Sequence, residues 1–127
     1  MKTLFGLGLF GFTAFILLLP SDVRADACTG DGKVGFMLGQ IQNQCGGFRL
    51  TERGSSALLR IAGDVGRRGD ACINQAKVAA LSELGREYPE ITEAAEAGDQ
   101  DLLTRKLCAA IYLQLMSTGF VTFNFGQ

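Results

Sequence analysis

Asp31-Gly32-Lys33-Val34-Gly35-Phe36-Met37-Leu38-Gly39-Gln40-Ile41-Gln42-Asn43-Gln44-Cys45 is the stretch on which the fold turns. Val34, Met37 with Leu38, Ile41 and Cys45 recur every three to four residues, the period of an amphipathic helix. Asp31 stands where an N-cap is expected, and Gly46-Gly47 stop the pattern. A helix over these 15 residues is about 22 Å long at 1.5 Å per residue. It therefore holds Cys28 and Cys45 far beyond the roughly 7 Å between Cα atoms that a disulfide tolerates.

That separation ranks the pairings of the four cysteines, Cys28, Cys45, Cys72 and Cys108. In an up-and-down arrangement the next helix returns the chain to the Cys28 end, where Cys72 opens a third helix. Cys28 then meets Cys72, and Cys45 is left for Cys108. There is no C-x-x-C and no basic neighbour in sequence to activate a thiol, so the cysteines read as structural staples.

Downstream, the helical period continues. Thr51 is the expected N-cap of a second helix with Ala57, Leu58, Ile61 and Val65 on one face, broken over Gly66 to Gly69. Asp70 is placed as the cap of a third, with Cys72, Ile73, Ala76, Ala79, Ala80 and Leu84 inward, running to about Tyr88. Pro89 opens a short fourth helix through Glu96, stopped by Gly98. Asp99 or Asp101 starts the last, with Leu103, Leu107, Ala110, Ile111 and Gln114 or Leu115 along one side, ending near Thr118-Gly119. The tail alternates Val121, Phe123 and Phe125, which fits an extended segment. With no central strand pattern and no internal repeat, the expectation is an all-α domain: a small bundle of four to five short helices stapled by two disulfides, with an extended aromatic C-terminal tail.

Upstream, Lys2 precedes an uncharged run from Leu4 to Leu19, Pro20 ends it, and Val23-Arg24-Ala25 resembles a cleavage site. Residues 1–25 read as a cleavable signal peptide and residues 26–127 as a single helical domain. The apolar run of 16 residues falls short of the roughly 20 that span a bilayer. The residues beside Cys28 do not form a lipidation box. The expectation is an exported protein, periplasmic or else extracellular, with no membrane span in its mature form.

Composition narrows the chemistry. The mature segment carries 12 acidic and 10 basic residues, and the chain has neither His nor Trp. Nucleic acid is not an expected partner, and catalysis or metal binding through histidine is excluded. No cofactor motif occurs, no catalytic residues are assigned, and none of the carboxylate spacings suits a calcium loop.

Four constellations carry alternative meanings. Glu83, Glu87, Glu90, Glu93, Glu96, Asp99 and Asp101 make an acidic arc relieved only by Arg86, which reads as a solvated helix face or as a pH-responsive element. Gly35 and Gly39, one turn apart, permit close packing in the core or a homodimer face. Arg60, Arg67 and Arg68 mark a helix end or an oxyanion contact. Phe120, Val121, Phe123 and Phe125 either fold back to complete the core or present a strip to a partner.

In general layout the chain is similar to bacterial periplasmic helical proteins such as the HdeA-type acid chaperones and the Rap/Tai-type immunity proteins, although HdeA-type chains have one cysteine pair where this chain has two. The leading expectation is a non-catalytic binding or accessory protein with a protein partner. The alternatives are an acid-stress holdase, an immunity or inhibitor protein and, last, a hydrolase using paired carboxylates.

Overall fold

A computed structural model describes residues 27–124; the expected signal peptide, residues 1–25, and Phe125 of the tail lie outside the described residues. The chain enters on a single π-helical turn, Ala27–Asp31, that runs directly into α1, Gly32–Gln44. Asp31 is consequently not an N-cap. It is helical at φ −60°, ψ −40° and makes no capping bond, because the turn before it already carries the helical path on which the first amides of α1 depend.

Gly46 and Gly47 turn the chain into β1, Phe48–Leu50, then come α2, Glu52–Arg68, and α3, Asp70–Glu87. α4 covers Pro89–Ala97 and α5 Gln100–Leu115, followed by a 3-10 turn, Met116–Thr118, and β2, Val121–Phe123. The break before α3 is narrower than the sequence suggests. α2 continues through Arg68, and Gly69 alone, at φ 105°, makes the turn and the cap, with Asp70 already inside the helix. Gly98 ends α4 in the left-handed conformation at φ 75°, where a side chain would be strained. Asp99 caps α5 by accepting from the Leu102 amide at 3.1 Å.

The two short strands pair antiparallel, Phe48 opposite Phe123 and Leu50 opposite Val121. β1 is the element that sequence periodicity misses, since three residues are too few to display alternation. The ribbon is closed by Asn124, whose amide donates to the Gly47 carbonyl at 3.1 Å. Phe48 stacks on Tyr112 of α5 at 5.0 Å between ring centroids, and Phe123 lies 4.9 Å from the same tyrosine. Such ring pairs add to plain burial.

α1 is the central element, packed on α2, α3 and α5, while α4 packs on α3 and α5 at the far side. The main core gathers Met37, Leu38, Ile41, Ala80, Leu84, Ile111 and Leu115 around the Cys45–Cys108 disulfide. Among the described residues a second, smaller core gathers Ile61 and Val65 of α2 around the Cys28–Cys72 disulfide, with Val34 packed against it. Both pairings follow the up-and-down geometry, with Cα separations of 5.2 and 5.6 Å. Gly35 makes the α1–α2 crossing close. A Cβ there would stand 2.5 Å from Ile61 Cγ2, and one on Gly32 would stand 2.9 Å from Ala76 Cβ, so both glycines act in core packing.

One inward assignment is overturned. Ile73 is 48% exposed, because the buried stripe of α3 runs through Cys72, Ala76, Ala80 and Leu84 and leaves Ile73 at its edge.

Candidate interaction surface

The acidic arc is divided among three helices and several tasks. Glu83 pairs with Lys33 of α1, the two side chains being about three-quarters buried at 23% and 26% exposure. Glu87 accepts from the side-chain Nε2 of Gln114 at 2.6 Å, and Asp99 is the cap of α5. Glu90, Glu93 and Glu96 line the exposed side of α4, with Asp101 exposed in the first turn of α5. Among the described residues, no group of three or more Asp, Glu, Cys or His is placed to hold a metal ion.

The basic residues are likewise separated. Arg67 and Arg68 turn back to Asp64 of their own helix at 3.7 and 3.3 Å, whereas Arg60 lies a further turn away and has no carboxylate within 4 Å among the described residues. Of the tail, Val121 is buried and Phe120 packs against the main core. Phe123 is 46% exposed yet stacked in the aromatic group. The tail thus folds back onto the body at least through Phe123, and Phe125 lies outside the described residues.

An apolar concavity lies beside the smaller core. A groove of about 250 Å³ runs between α1, contributing Gly32, Gly35 and Phe36, α2, contributing Ile61, Ala62, Val65 and Gly66, and α3, contributing Ile73 and Ala76. Among the described residues no charged side chain lines it. Its lining residues recur at three- and four-residue spacing on each helix, and exposed Leu59 precedes Ala62 by three residues on the same side of α2. The groove exists because the second core has too few large side chains to fill the space between three helices that glycine has drawn together. Sequence periodicity does not find it, since Gly32 and Gly66 carry no hydrophobic signal and the spacing of Ile73 reads as that of a core residue.

No protein-family model matches the chain, and no curated protein or solved structure matches it.

Proposed function

We propose that the chain is a small exported binding protein, acting without catalysis of its own, that holds a protein partner by the apolar side chains of a helix laid into the groove between α1, α2 and α3. The observation that carries this reading is the groove itself: an apolar channel between three helices, lined by Phe36, Ile61, Val65 and the exposed Ile73, with exposed Leu59 one turn before Ala62 on α2. Helix-in-groove recognition uses this kind of surface, with anchors spaced by three or four residues.

Export is supported by the leader and by the two disulfides, which persist in oxidising compartments. Among the described residues no helix is long and apolar enough to cross a membrane. The test is a charge placed in the groove wall. Ala62→Asp, at an exposed position, leaves the circular dichroism spectrum and melting transition unchanged and removes the partner from the complex isolated from the exporting cell. Ala95→Asp on α4 leaves the complex intact. Retention of the same partner by the folded Ala62→Asp protein contradicts the proposal.

A further inference from the structure

On the other side of α2 the same helix builds a second, chemically different concavity. A cleft of about 570 Å³ is lined by Glu52, Arg53, Ser56, Ala57, Arg60 and Phe120. Arg53 and Arg60 are two helical turns apart, about 10.5 Å along the axis, and therefore share a face, with the Ser56 hydroxyl between them. Neither guanidinium has a carboxylate within 4 Å among the described residues, in contrast to Arg67 and Arg68 on the same helix.

Arg53 is held in place. Its Cζ stands over the Phe120 ring, 5.6 Å from the centroid, a cation–π contact. Its Nη1 lies 2.9 Å from where a Cβ on Gly119 would be, so the side chain rests in space that only glycine leaves open. A guanidinium fixed in this way loses less freedom when it binds an anion than a free surface arginine does. The amide of Gly54 is already satisfied by Thr51, so the site is made of side chains rather than of the helix end.

We propose that this cleft is an oxyanion-binding site, in which Arg53 and Arg60 together grip a phosphate- or carboxylate-bearing dianion and Ser56 donates to it. Glu52 is the one acidic group on the lining, and it sets a limit on affinity that its removal should lift. The guanidinium fork matches both phosphate and carboxylate, so the two sources are separated by probe.

The experiment follows arginine Nε–Hε resonances of the oxidised protein while inorganic pyrophosphate or glutarate is added at fixed ionic strength. Saturable shifts confined to Arg53 and Arg60 are expected with at least one probe, and the probe that saturates first assigns the ligand chemistry. Arg60→Gln weakens that binding about tenfold, the scale of one lost charge-assisted contact. Phe120→Leu weakens it by freeing Arg53, while Arg105→Gln does not. Glu52→Gln strengthens it more than Glu93→Gln, although both remove one negative charge. Circular dichroism confirms that each variant is folded. The proposal is overturned if neither probe saturates, if Arg49 and Arg105 shift as much as the cleft pair, or if Phe120→Leu and Arg105→Gln behave alike.

Discussion

The carbonyl oxygen of Phe120 occupies the space into which a Cβ on Gly54 would project. Around this contact the start of α2 and the approach to β2 are bound to each other. The Thr51 amide donates to the Phe120 carbonyl at 2.9 Å, and the Thr51 hydroxyl donates to the Gly119 carbonyl at 2.5 Å while accepting from the Gly54 amide at 3.1 Å. One threonine and one glycine therefore tie the C-terminal segment to a helix 65 or more residues earlier in the chain.

Gly54→Ala should destabilise the protein by about 1 to 3 kcal/mol, because the new methyl meets backbone that cannot rotate away. Amide exchange should quicken at Thr51 and across the β1–β2 ribbon. Gly63→Ala on the same helix is the internal control. Its Cβ meets only the Arg67 side chain at 3.5 Å, and the gain in helix propensity should stabilise by about 0.5 to 1 kcal/mol. Chemical denaturation of both variants reads the opposite signs.

The two disulfides should contribute separately. They join residues 44 and 63 positions apart, and replacing either pair by alanine should cost about 2 to 5 kcal/mol. Loss of Cys28–Cys72 should release the smaller core first, since only Ile61 and Val65, with Val34 against them, remain to hold it. Peptide mapping of the unreduced protein checks the pairing, and a Cys28–Cys45 peptide would refute the helix that separates them.

Lys33 and Glu83 join α1 to α3 in a partly shielded setting. A double-mutant cycle with Lys33→Met and Glu83→Gln, measured at pH 7, should give a coupling of about 1 kcal/mol, above the median for exposed pairs. Glu93→Gln, on the exposed side of α4, should change stability by less than about 0.5 kcal/mol. Equal effects at Glu83 and Glu93 would mean that the acidic residues act as one solvated face.

Export should remove the leader. The protein recovered from the exporting cell should begin at Asp26, as read by amino-terminal sequencing and intact mass, and should carry four fewer hydrogens than the reduced chain because both disulfides are formed. A chain recovered with Met1 in place would contradict cleavage.

Much of the architecture is legible in the sequence because the helices are long enough to repeat their pattern. Ala57, Ile61 and Val65 mark the buried face of α2, Thr51 and Asp99 are caps of the expected type, and Gly98 stops α4. The rest depends on contacts remote in sequence. β1 forms because β2 returns to it, and Asp31 loses its cap because the preceding turn is itself helical. The groove and the Arg53–Arg60 cleft were not legible. The first is a gap left by glycine packing, and in the second Arg53 gains its meaning only when Phe120 arrives beneath it from 67 residues away.

The most direct test of the binding role is a photoreactive benzophenone side chain placed at Ala62, in the groove wall, in cells that export the protein, with Ala95 on α4 as the comparison site. The groove-binding role predicts one discrete crosslinked partner at Ala62 and none at Ala95, with the attached partner residues apolar and spaced by three or four along a helix. Crosslinks that are absent at Ala62, or the same at both positions, would contradict it.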